Sequence, residues 1–107
     1  MAHNPESSEF ARAVSEIQNI KKEITTNQAQ IANCQIQSAF EEGMLKTILA
    51  KAETPKNKEY LEVAKKACKA TIKSWSLSIA AYQNDIDTYK TEINAILKRN
   101  PEARLDN

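Results

Sequence analysis

A heptad repeat of apolar residues constrains the fold of this chain more than any other feature of its sequence. In the first half, one frame with alternating steps of three and four positions holds Phe10, Ala13, Ile17, Ile20, Ile24, Ile31, Cys34, Leu45 and Ile48, with Asn27, Ser38 and Glu41 as its polar members. Residues at this spacing share one side of an α-helix, so the pattern predicts a long helix that packs against another helix. Asn4 as a cap and Pro5 at the first helical position predict a helix over about residues 5–52.

A second frame fills the other half of the chain. It holds Leu61, Ala64 and Cys68 and is then regular through Ile72, Trp75, Ile79, Tyr82, Ile86, Tyr89, Ile93 and Ile96. The two frames are out of phase where Thr54 and Pro55 repeat the cap-then-proline signal, so we expect a turn at about residues 53–57. The second helix is predicted over about residues 55–99, followed by a short tail over residues 100–107.

These two helices predict an all-α fold with one helical domain over residues 1–107. A single Gly and three Pro in 107 residues leave little from which to build the turns of a sheet. Each helix would be roughly 60 to 70 Å long at 1.5 Å per residue, and the simplest arrangement is a long antiparallel helical hairpin, similar to a coiled coil. The alternative is a three-helix arrangement with a break near Gly43, because Gly costs about 1 kcal/mol relative to Ala inside a helix.

The middle of each predicted helix carries no charge, from Ile24 to Phe40 in the first and from Ser74 to Asn84 in the second. A helix with only one packing partner normally shows water a charged outer side. Four large apolar residues in or near these segments fall outside the heptad frames, namely Ile36, Phe40, Met44 and Leu77. We therefore expect them to form an interface through which two hairpins complete a four-helix bundle as a homodimer. The alternative is a third layer supplied by the chain itself.

One charged feature is a stripe of lysines in the second helix, formed by Lys58, Lys65, Lys66, Lys69 and Lys73. Such a stripe can bind nucleic acid or another anionic surface, although most charge runs are simply solvated helix faces. The chain as a whole has a net charge of only +1, and no Arg or exposed aromatic platform accompanies the lysines. Nucleic-acid binding is therefore the less favoured interpretation.

Residue types that carry catalysis or bind metals are sparse. The only His is His3, ahead of the first helix, and neither Cys34 nor Cys68 has a second ligand at metal-binding spacing. Asp85 and Asp87 point to different sides of a helix, and one Gly cannot form a phosphate-binding loop. The sequence predicts no enzyme, metal site or cofactor. It also predicts free cysteines, no membrane span and no signal peptide, hence a cytoplasmic location.

These observations favour a non-enzymatic protein–protein interaction module, such as an adaptor, a chaperone or a small protein inhibitor. In outline, a hairpin turning at Thr54–Asn57 resembles the helical hairpins of secretion systems, both the secreted type with a Trp-x-Gly turn and the needle subunits. Here Trp75 lies within a helix and is followed by Ser76 and Leu77, so no family is assigned. The resemblance implies one alternative, a polymerising structural or secretion-apparatus subunit, and the lysine stripe implies another, a binder of nucleic acid or an anionic surface.

Overall fold

The structure, a computed structural model that describes residues 5–104, is a hairpin of two long helices. Helix α1 spans Pro5–Ala50 and helix α2 spans Lys58–Arg99, followed by a single 3-10 turn at Pro101–Ala103. No strand occurs in residues 5–104. The all-α helical hairpin predicted from the sequence is therefore confirmed.

Helix α1 runs without a break through Gly43, so the expected alternative of a three-helix arrangement is wrong. Leu45 and Ile48 lie just beyond the glycine and are half-buried on the apolar side of α1. Burial on that scale outweighs a cost of about 1 kcal/mol for one glycine, and the helix continues. Thr47 then donates its hydroxyl hydrogen bond back to the carbonyl of Gly43, over 3.1 Å.

The turn between the helices is held by a reciprocal exchange of hydrogen bonds. The backbone N–H of Thr54 donates to Oδ1 of Asn57 over 2.7 Å, and the N–H of Asn57 donates to Oγ1 of Thr54 over 3.3 Å. This is the geometry of a helix capping box, with Pro55 at the first position after the cap. Helix α1 ends two residues before the predicted position, and α2 begins at Lys58 rather than 55, because residues 55–57 form the turn that follows the cap.

The chain divides into two units, which we call the terminal unit (residues up to Gln28 and from Gln83 onward) and the turn unit (Ala29–Tyr82). In the terminal unit the core consists of Ala13, Ile17, Ile96 and Ala103, with Val14, Ile20, Ile93 and Leu97 packed against it. Ala103 is fully buried, so the predicted tail is wrong at this position. It continues the heptad frame of α2, seven residues after Ile96, and the 3-10 turn returns it to the core. Phe10, a predicted frame residue, is 39% exposed, because α2 ends at Arg99 and leaves little to cover it.

The turn unit has a thin core. Its fully buried side chains are Cys34, Leu61 and Cys68. The other apolar residues of its two heptad frames, among them Ile31, Leu45, Ile72, Trp75 and Ile79, are half-buried. Every frame residue in this unit is thus at least partly covered, which places the seam between the helices where the sequence predicts it.

Candidate interaction surface

The four apolar residues predicted to lie off the seam are all in the turn unit, and all are exposed. The exposed fraction is 66% for Ile36, 65% for Phe40, 43% for Met44 and 63% for Leu77. None is covered by another part of the chain within the region that the structure describes. The expected alternative, a third layer from the chain itself, therefore does not occur over these residues.

Three further large apolar side chains of the turn unit are exposed, and the sequence interpretation missed them. They are Leu49, Tyr60 and Val63, at 55%, 67% and 62%. The signal that could have found Tyr60 and Val63 is a second heptad frame on α2. It consists of Tyr60, Val63, Ala67, Ala70, Ser74, Leu77 and Ala81, in steps of three and four, without a charge and with every member exposed. Alanine and serine dilute this frame, so it is much less apparent than the seam.

Helix α1 has a matching second frame. It consists of Ala29, Asn33, Ile36, Phe40, Gly43, Thr47 and Ala50, again without a charge and with every member exposed. Met44 borders this frame on the side nearest to the seam. A helix that packs on one side only has no physical reason to maintain an uncharged heptad frame on another side. Each helix of the turn unit therefore carries two packing surfaces, one used in the hairpin and one left open.

Heptad geometry shows how the two open frames are placed. We label the residues of the seam a and d. The open frame of α1 then occupies positions c and f, and Met44 is at position g. The open frame of α2 begins with Tyr60 at position g and Val63 at position c. In an antiparallel helix pair the two g positions lie on the same flank. The terminal unit illustrates this rule, because Glu16 of α1 and Arg99 of α2, both at g, line one cavity of about 320 Å³.

The c and g members of the two open frames therefore lie on one flank of the helix pair, and the f members, Ile36 and Leu77 among them, lie at its outer edge. We call this surface, formed by the members of the two open frames together with Met44, the uncharged face. It contains six of the large exposed apolar side chains of the turn unit. The seventh, Leu49, is at position e and lies on the opposite flank.

Four of the five lysines of the stripe occupy that opposite flank. Lys58 and Lys65 are at e positions, Lys69 and Lys73 at b positions, and Lys66 at the outermost f position. Lys65 is half-buried and the other four are exposed. The turn unit is consequently a helix pair with one uncharged face and one basic flank, which we call the lysine flank.

Cys34 and Cys68 are free thiols, and both are buried on the seam of the turn unit. Burial raises the pKa of the Cys68 thiol, and the neighbouring Glu41 raises it further through its negative charge and by accepting the thiol hydrogen bond. This contact places Glu41 of α1 level with Cys68 of α2. A protonated, buried thiol is a poor nucleophile and a poor metal ligand, so it acts here as a small packing residue.

The described residues hold no group of three or more His, Cys, Asp or Glu side chains that could bind a metal. Asp85 and Asp87 are both exposed, and Asp87 accepts a hydrogen bond from Gln83 over 3.2 Å. His3 lies outside the described residues. No helix in residues 5–104 is long and apolar enough to cross a bilayer.

Comparison with known protein families, with curated proteins and with solved structures gives no match for this chain. Its function therefore has to be argued from its surface.

Proposed function

We propose that this protein is a non-enzymatic protein–protein interaction module that self-associates through the uncharged face of its turn unit and acts on other proteins as an adaptor, a chaperone or an inhibitor. The observation that carries the proposal is the exposure of Ile36, Phe40 and Leu77, each more than 60% exposed, within two heptad frames that contain no charge. Soluble monomers rarely expose contiguous apolar patches of more than a few hundred Å², and larger patches usually mark an interface.

The thin core of the turn unit supports the same proposal. Of the three fully buried residues in this unit, two are cysteines, which bury little apolar area, whereas six larger apolar side chains are exposed on one face. A two-helix hairpin buries only one stripe of each helix, and small chains of this type commonly need further helices to complete a core. Covering the uncharged face would supply those helices. The buried free thiols fit a reducing compartment such as the cytoplasm.

The experiment that tests this function is sedimentation equilibrium at micromolar concentration on three proteins. The wild-type chain is expected to sediment as a dimer, and Phe40→Asp as a monomer, because a carboxylate buried in the interface would have no partner. Leu49→Asp is the matched control, since it makes the same change at an exposed leucine of α1 on the lysine flank, and it is expected to remain dimeric. A wild-type monomer, or equal behaviour of the two variants, would rule the proposal out.

A second candidate function, binding to nucleic acid or another anionic surface, is favoured by the lysine flank. Four of the five lysines, Lys58, Lys65, Lys69 and Lys73, lie on this side of α2, and Lys66 lies at the outermost position. Binding through them would weaken steeply as salt is raised, and replacing Lys65, Lys69 and Lys73 with glutamine would abolish it. If instead the wild-type chain forms filaments in electron micrographs as its concentration rises, the polymerising structural subunit is the better description.

A further inference from the structure

We propose that the partner on the uncharged face is a second copy of this chain, related by a twofold axis parallel to the helices, so that α1 of each copy packs against α2 of the other. This inference rests on the proposed function and specifies its geometry. It follows from the way in which large and small side chains alternate across the face.

The levels of the side chains along the helix pair follow from the turn, since α1 ends at Ala50 and α2 begins at Lys58, which places Glu41 near the level of Cys68. Because the helices are antiparallel, residues that follow Glu41 in α1 are level with residues that precede Cys68 in α2. Phe40 and Ile36 of α1 are therefore level with the region of α2 that presents Ala70 and Ser74, and Met44 lies between the levels of Val63 and Ala67. In the middle of the face the large side chains belong to α1 and the small ones to α2.

Closer to the turn the arrangement is reversed. Tyr60 and Val63 of α2 are level with Ala50 and Thr47 of α1, so here the large side chains belong to α2. At the other end of the face, Leu77 of α2 is level with the segment between Ala29 and Asn33. Except between Met44 and Val63, a level where a large side chain projects from one helix is a level where the other helix presents a small one.

A twofold axis parallel to the helices places α1 opposite α2 of the other copy at the same level. Ile36, Phe40, Tyr60 and Leu77 then each meet a small residue, which lets the helices pack closely. An axis perpendicular to the helices would instead bring α1 against α1, and at the centre of the contact the bulky row of Ile36, Phe40 and Met44 would meet its own copy. The parallel axis therefore gives a self-complementary surface, which a partner of unrelated sequence has no reason to match.

Charge and area agree with this occupant. The uncharged face brings no like charges together, and the lysine flanks of the two copies remain on the outside, in water. The six large side chains on the face are between 43% and 67% exposed. If each of these side chains buries on the order of 100 Å², two copies bury about 1,200 Å² in total. This area is the lower limit for a stable and specific protein interface.

Disulfide trapping between two variants, each with one added cysteine, tests the arrangement. Met44→Cys and Ala67→Cys are both exposed at neighbouring levels of the uncharged face, one on each helix. Mixed and gently oxidised, the two variants are expected to form a disulfide-linked heterodimer, whereas each variant alone forms much less of its homodimer. Lys46→Cys mixed with Glu62→Cys is the matched control on the lysine flank and is expected to stay unlinked. The native cysteines are buried and stay reduced in the wild-type control.

The outcomes separate this inference from the proposed function. If the mixture sediments as dimers but Met44→Cys links preferentially to itself, or if only the lysine-flank pair is linked, self-association stands and the arrangement is overturned. If neither mixture is linked while sedimentation shows dimers, the arrangement is likewise overturned. If all of the proteins sediment as monomers, both the arrangement and the proposed function fail.

Discussion

Truncation of Phe40 to alanine separates the stability of a single chain from its self-association. Phe40 is 65% exposed in the chain by itself, so Phe40→Ala removes little that is buried there. We expect the free energy of unfolding of the dilute monomer to change by no more than about 0.5 kcal/mol, as for other exposed positions. The whole effect of the substitution is expected in the dimer.

The size of that effect follows from the exposed area of the ring. Complete burial of a Phe side chain covers about 150–250 Å², so covering the exposed two thirds of it removes on the order of 100 Å² from water. At about 25 cal/mol per Å² this contributes about 2.5 kcal/mol for each ring. A symmetric dimer contains two such rings, and their loss, about 5 kcal/mol, corresponds to a 10³- to 10⁴-fold increase in the dissociation constant.

The assay is a dilution series followed by fluorescence-detected sedimentation, which reads the dissociation constant directly. Leu49→Ala is the control, because Leu49 is 55% exposed on the same helix but on the lysine flank, and its effect is expected to be less than about tenfold. Equal dissociation constants for the two variants would refute the reasoning that the uncharged face is the interface. So would a loss of dimer that is accompanied by an equal loss of stability in the dilute monomer.

Two other predictions concern the interior of the hairpin. Ile17→Ala truncates a side chain that is 2% exposed in the core of the terminal unit. We expect it to lower the free energy of unfolding, measured by urea titration, by about 2–5 kcal/mol. A decrease of less than about 1 kcal/mol would contradict the burial of Ile17 in this core. Burial and Glu41 raise the pKa of Cys68, so the folded chain holds the thiol proton more tightly than the unfolded chain, and stability should decline as the pH rises above about 9.0, the ordinary value of a thiol. Thermal melts of the wild-type chain and Cys68→Ala across this range check the point, since the alanine variant should decline less, and parallel curves would contradict it.

Much of the fold follows from the period of the apolar residues. The frames beginning at Phe10 and Leu61 predict the seam, since a 3-4 spacing of isoleucines on a helix leaves one side that must be buried. The ends of the elements are less predictable, because they depend on local hydrogen bonds such as those between Thr54 and Asn57. Ala103 was missed because Asn100 and Pro101 end α2, although the heptad frame continues beyond them.

The candidate surface was only partly predictable. Ile36, Phe40 and Leu77 are conspicuous as large apolar residues off the seam, whereas Tyr60 and Val63 lie in a frame composed largely of alanine and serine. The uncharged face is distinct from the lysine flank because the g positions of the two helices share one flank. Which positions share a flank is known only once the direction and the register of the two helices are known. The end of α1 at Ala50 and the start of α2 at Lys58 supply that register in the turn unit.

Hydroxyl-radical footprinting of the wild-type chain tests the central claim without any substitution. The rate of side-chain oxidation would be measured at Phe40, Met44 and Leu49 well below and well above the concentration at which the chain associates. We expect Phe40 and Met44 to become several-fold less reactive at high concentration, while Leu49 on the lysine flank does not change. Unchanged oxidation of Phe40 and Met44 across the whole concentration range, or protection of Leu49 instead, would contradict it.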